Sequence, residues 1–220
     1  MTRPDVDIER HVANELCWDN RVDASDINII ARDGRVILDG FVPTYSALRS
    51  AEQDCFNVPG VISVENRLKV KPMPFISAPD DEKIAHCVQN VLNWSPDINS
   101  NTVKILVQGG WVTLEGVVDS FWKKLKAEDL TANIVGVMGI TNKIGIVPSE
   151  AVEDRAIADS VIDAIDRNTS VDVDSVDVRV QEGIVTLSGV VSSRVAYSTA
   201  ESIASRTKGV VEVRNNIDVT

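Results

Sequence analysis

A chain of 220 residues allows one large domain or two to three small ones. Apolar residues make up 44% and charged residues 25%, the balance of a folded protein that buries a core. The net charge of −11 takes nucleic acid out of the expected partners and weighs against anionic lipid surfaces.

The opening residues Met1 to Ile8, MTRPDVDI, hold no apolar run of signal-peptide length. No stretch approaches the roughly 20 apolar residues that span a bilayer. A cytoplasmic location is the simplest reading, with association to a membrane surface as the alternative. Ile8, Val12 and Leu16 then form an i, i+4, i+8 stripe, one face of an amphipathic helix. Ile27 and Ile29 alternate as a half-buried strand, and Val36, Leu38 and Val42 continue as a second. Asp33-Gly34 between them supplies hairpin chemistry, because positive φ costs glycine little. A second helix is predicted from about Tyr45 to Val58, with Gly60 just past its end in the C′ position. Val64, Leu68 and Val70 mark the last strand.

This unit recurs at offsets of 76 and 149 with no gap inside any copy. Ile8, Val12 and Leu16 match Ile84, Val88 and Leu92, then Ile157, Val161 and Ile165. The run Asp33 to Gly40 returns as Gly109 to Gly116 and Glu182 to Gly189. The repeat glycines are therefore Gly34, Gly40 and Gly60, then Gly110, Gly116 and Gly136, then Gly183, Gly189 and Gly209. Further second helices are predicted over about Phe121 to Ile134 and Val195 to Thr207. Asn66, Asn142 and Asn215 repeat in the last strands, and Ala51-Glu52, Ala127-Glu128 and Ala200-Glu201 in the second helices.

The predicted class is α+β: three tandem α-β-β-α-β modules, over residues 1–72, 80–148 and 152–220. Each is expected to be a three-stranded mixed sheet packed against two helices. The other face of each sheet and its edges are left for neighbouring modules or other chains. Lys71 to Asp80, KPMPFISAPD, reads as a semi-extended joint.

The residues quoted match a family. The chain resembles a triple-BON protein (bacterial OsmY and nodulation) through the DG-x-V-x-L-x-G run at Asp33 to Gly40 and its copies. The pattern Gly-Val-x-x-Val-x-Asn at Gly60 to Asn66 and Gly209 to Asn215 adds to the likeness; Gly136 to Asn142 has Ile140 in place of the second Val. Leu16 to Asp19 and Leu92 to Ser95 are similar to the L-x-W-(D/S) of cytoplasmic members. The resemblance implies no catalytic residues. It implies links to osmotic stress, envelope integrity, phospholipid binding and, in a cytoplasmic member, potassium binding.

The residues point the same way on catalysis. No GxSxG, HExxH, Walker-type or GxGxxG pattern occurs. The recurrent positions are glycine and aliphatic, which serve turns and core. Asp172, Asp174 and Asp177 lack the spacing and distal Glu of a calcium loop and read as a solvated acidic loop. Cys17, Cys55 and Cys87 show no CxxC spacing and lie in helical patterns, where a free thiol is expected to be buried. His86 beside Cys87 is a poor metal pair, since adjacent helical residues point about 100° apart. No metal site and no cofactor are expected.

One stretch breaks the repeat: Phe121, Trp122, Lys123, Lys124, Leu125 and Lys126, opening the second helix of module two. Aromatic rings beside lysines suit a lipid headgroup boundary. The competing reading packs Leu125 inward and Trp122 over a neighbouring module. Trp111 follows the hairpin glycine of module two, and Trp18 and Trp94 are expected to pack at the ends of their helices. Trp111, Phe121, Trp122, Lys123, Lys124 and Lys126 are the candidate lipid or partner contacts.

Three functional expectations follow. The first is a non-enzymatic binding or scaffold protein, self-associating as a homo-oligomer and tied to osmotic stress. The second is a peripheral phospholipid binder using the second helix of module two. The third is a potassium sensor that holds the ion with carbonyls at the glycine turns and nearby carboxylates.

Overall fold

A computed structural model describes residues 5–71 and 79–219. The opening MTRP and most of the proline-rich joint, residues 72–78, lie outside the described residues. Module one runs α1 (Asp5–Trp18), β1 (Ile27–Arg32), β2 (Arg35–Val42), α2 (Tyr45–Asn57) and β3 (Ser63–Val70). Module two runs α3 (Asp81–Trp94), β4 (Val103–Gln108), β5 (Trp111–Val118), α4 (Phe121–Ala132) and β6 (Gly139–Ile146). Module three runs α5 (Asp154–Asp166), β7 (Val176–Gln181), β8 (Ile184–Val191), α6 (Arg194–Arg206) and β9 (Glu212–Val219). The sheets have the orders β1-β2-β3, β4-β5-β6 and β7-β8-β9, each mixed. The chain divides into two compact units, residues 1–91, 105–113 and 129–141 in the first and 92–104, 114–128 and 142–220 in the second.

In the first unit, β1 runs antiparallel to β2, pairing Ile27 with Gly40 and Arg32 with Arg35. Asp33 and Gly34 join them with φ of 49° and 78°. Two positive φ values in a two-residue loop define a type I′ turn, whose twist suits the hairpin. The crossover through α2 then brings β3 parallel to β2, Arg35 facing Ser63 and Val42 facing Val70. The core joins Ile8, Val12 and Leu16 of α1 to Ala47, Ala51 and Cys55 of α2 over Val36, Leu38 and Leu68 of the sheet. The small residues of α2 recur four apart and let that helix lie close to the strands. Thr44 starts α2 by accepting from the Ala47 amide at 3.1 Å.

The second unit repeats this design in module three. Ile157, Val161 and Ile165 pack with Ala196, Ala200 and Ala204 over Val185, Leu187 and Ile217. Ser193 caps α6 as Thr44 caps α2.

Several sequence expectations are corrected. Gly60, Gly136 and Gly209 do not cap their helices. Each is the third residue of a β-turn closed by Val61 N to Val58 O, Val137 N to Ile134 O or Val210 N to Thr207 O. Their φ values of 98°, 94° and 87° meet the type II requirement, and the turn aims the chain into the last strand. Trp18 and Trp94 do not pack at their helix ends: they are 85% and 82% exposed, because two residues beyond Leu16 and Leu92 carry them about 200° around the helix, to the side opposite the Ile-Val-Leu stripe. Cys17 and Cys87 also lie off that stripe and are exposed, and only Cys55 is buried.

A short 3-10 turn before each hairpin (Ala24–Asp26, Ser100–Thr102, Val173–Ser175) was not predicted. It explains the second repeat glycine. A Cβ on Gly40, Gly116 or Gly189 would lie 2.0, 2.0 or 2.1 Å from the carbonyl oxygen of Asp26, Thr102 or Ser175. Only a residue without a side chain lets this turn cross the strand.

Candidate functional site

The repeat-breaking stretch opens α4, and its side chains take different directions. Phe121 is half-buried and packs against the core of module three. Lys123 stands where α2 and α6 have the buried Ala47 and Ala196. Its stem follows that inward stripe while the ammonium reaches Asp119 at 2.8 Å. Lys126 is ion-paired with Asp97. Trp122 is half-buried, with the ammonium groups of Lys123 and Lys126 at 5.8 and 5.7 Å from its ring centre. Lys124 is half-buried and Leu125 is exposed, so Leu125 does not pack inward. Two of the three lysines thus meet carboxylates of their own unit, and Asp119 is held below its usual carboxylate range, chiefly by the Lys123 hydrogen bond. Lys123, Asp97 and Asp119 line a shallow cleft of about 330 Å³ with Val117 and Val147.

Trp111 stands apart from this group on β5. Its exposed ring covers Gly139 so closely that a Cβ there would meet it at 2.3 Å. At the equivalent pairs, Arg35 faces Ser63 and Ile184 faces Glu212. The tryptophan thus fills the space left by a glycine in a strand, and its outer edge remains open to a partner.

The carbonyls at the hairpin glycines accept backbone amides at the entry to the last strand. Gly34 O takes Ile62 N at 2.8 Å, Gly110 O takes Met138 N at 2.9 Å and Gly183 O takes Val211 N at 2.9 Å. Asp172 accepts from the Asp174 amide and the Ser175 hydroxyl, which makes it the cap of a 3-10 turn. Among the described residues no three His, Cys, Asp or Glu side chains group as metal ligands. No described helix is long and apolar enough to cross a membrane.

Sequence reasoning missed two features. Asp81 accepts from the Gly109 and Gly110 amides, and Asp154 from the Glu182 and Gly183 amides, so a carboxylate opening the first helix ties down the hairpin tip. The second is Asp54 of α2, 6% exposed, where the other copies have Leu130 and Ile203. Burial and a shared hydrogen bond with Asp19 push its carboxyl up to about 6, and its Oδ2 has no partner. Asp19, gripped by Arg21 at 2.7 to 3.0 Å, is held at about 2. The offset of 76 was the available signal: a carboxylate in register with leucine is out of place.

The family model of the BON domain matches residues 4–72, 80–148 and 153–220. The chain is 26% identical over 142 residues to the 21 kDa hemolysin of Actinobacillus pleuropneumoniae, covering 64% of this chain and 73% of that protein. It is 26% identical over 144 residues to the osmotically-inducible protein Y of Escherichia coli (strain K12), covering 63% and 72%. A solved structure of CdsD, a structural protein of the type III secretion system of Chlamydia trachomatis, overlaps 97% of this chain and 92% of that one at 13% identity and a TM-score of 0.28.

Proposed function

We propose, from the premise that this chain belongs to the BON domain family, that it is a non-enzymatic binding and scaffold protein that self-associates in the osmotic stress response. One observation carries the association. Phe41, Val117 and Val190 occupy the same register position in the three modules and are 44%, 46% and 51% exposed. They lie on strand faces opposite the buried Val42, Val118 and Val191, so each module presents an apolar side chain away from its helices. The likeness to an osmotically-inducible protein supports the stress assignment. Size-exclusion chromatography with light scattering tests the association. Assemblies larger than one chain at tens of micromolar are expected, and a strictly monomeric protein overturns the reading.

A second reading is peripheral binding to phospholipid. The half-buried Trp122 ring flanked by two ammonium groups favours it, as does the likeness to a hemolysin. Flotation with vesicles containing phosphatidylglycerol decides it. The Trp122→Ala, Lys123→Glu variant is expected to float less than wild type, and equal flotation removes α4 as the contact.

A further inference from the structure

The uncovered face of the module one sheet gathers cations in a chain whose net charge is −11. Successive strand residues alternate faces. Arg67 and Lys69 therefore project from β3 away from the helices, and Lys71 keeps the spacing one step beyond the strand. Arg35 joins them from β2. Glu65 is held by both Arg35 and Arg67, and Asp39 stands opposite Arg67 on the same face, so Lys69 and Lys71 extend the positive charge beyond these carboxylates at the end of β3. Apolar side chains flank Asp39 on this face: Ile30 pairs with Ile37 on one side, and on the other Phe41 stands opposite Lys69 with the Lys71 ammonium 5.3 Å from its ring centre. The other modules lack this field. In place of Arg67 and Lys69 they have Lys143 and Gly145, then Asn216 and Asp218.

The complementary surface lies on the same chain. On α5, Asp159, Asp163 and Asp166 are exposed in one stripe beside the exposed Ile162. This acidic stripe is also confined to one module: the equivalents are Arg10, Asn14 and Cys17 on α1, and His86, Asn90 and Asn93 on α3. The spacings agree. Four helical residues rise about 6 Å, and two strand residues span about 6.6 Å, so Asp159 and Asp163 match the step between Lys69 and Lys71.

We infer that a second copy of this chain lays its α5 on the open sheet face of module one, with Asp159 and Asp163 meeting Lys69 and Lys71 and Ile162 packing against Phe41. The inference rests on the self-association proposed above and names its two surfaces. Because the surfaces differ, each copy offers one of each, and the contact closes a ring or extends a chain of copies.

Charge exchange tests it, since all four charged positions are exposed. One variant carries Lys69→Glu with Lys71→Glu, the other Asp159→Lys with Asp163→Lys, and both are followed by light scattering. Each alone is expected to weaken assembly by about tenfold or more in dissociation constant, and an equimolar mixture to restore it. Wild-type assembly that neither variant weakens overturns these surfaces and leaves self-association standing; a monomeric wild type overturns both. Unchanged assembly with loss of flotation on phosphatidylglycerol vesicles by the Lys69→Glu, Lys71→Glu variant overturns the assignment in favour of a lipid surface.

Discussion

Asn142 donates through Nδ2 to the carbonyl oxygen of Lys124 at 2.9 Å, fastening the last strand of module two to the first turns of α4. Its Oδ1 accepts from the Ile144 amide at 3.2 Å, and Nδ2 also reaches Glu128 at 3.1 Å. Asn66 and Asn215 make the same bridge to Leu48 and Tyr197, and Glu52 repeats the role of Glu128. The repeated Asn and Ala-Glu positions are thus one device, in which a half-buried amide satisfies a helix and a strand together.

Asn142→Ala leaves the Ile144 amide without this partner and releases the first turns of α4 from the last strand. We expect a loss of about 1–3 kcal/mol, read as a lower urea midpoint. Asn142→Asp is expected to do no better, because it sets carboxylate oxygen against the Lys124 carbonyl and Glu128.

The glycines of module two separate steric need from turn preference. Gly116→Ala drives a Cβ to 2.0 Å from the Thr102 carbonyl at a φ of 126°. A cost of about 3 kcal/mol or more is expected. Gly109 has a φ of 58° and nothing within 4 Å of an added Cβ, and Asp33 and Glu182 hold its place elsewhere. Gly109→Asp is expected to change stability by less than about 1 kcal/mol. Thermal melts of the two variants make the comparison.

The thiols divide by exposure. Cys17 and Cys87 are exposed, while Cys55 is buried and its thiol is pushed up to about 12, mainly by burial. A thiol-reactive dye is expected to label two residues of the native chain rapidly and the third only on unfolding. Rapid labelling of all three shows that α2 opens readily.

The repeat register made most of the fold legible. Positions that agree in three copies are held by a shared physical demand, such as Gly40 under the Asp26 carbonyl or Asn66 between helix and strand. Exposure at the helix ends was legible but misjudged: Cys17 and Trp18 lie about 100° and 200° around the helix from Leu16, off the stripe that meets the core. Ion pairing of the α4 lysines was also hidden: Asp97 reaches Lys126 across 29 residues of sequence. Charged features confined to one copy, such as Lys69 and Lys71 or the α5 stripe, appear only when each module is subtracted from the others.

Asp54 gives the sharpest such difference, and its consequences depend on pH. Desolvation raises its carboxyl from 3.8 to about 6, helped by Asp19 and opposed by the Arg21 guanidinium at 3.9 Å. The folded chain therefore keeps a proton on Asp54 that the unfolded chain has lost, and this stability is full below about pH 4 and disappears as pH rises through about 6. Asp19 acts in the opposite sense: held at about 2, it stabilises the fold above about pH 4 and loses that contribution as pH falls through about 2. Asp54→Leu installs the residue that module two carries as Leu130 and removes the buried unpaired oxygen. We expect it to raise stability by about 1–3 kcal/mol at pH 7.5 and by clearly less at pH 4.5, read from urea midpoints at the two values. An equal gain at both shows that Asp54 does not titrate between them, and no gain at either shows that the Asp19 and Arg21 cluster compensates its burial in full.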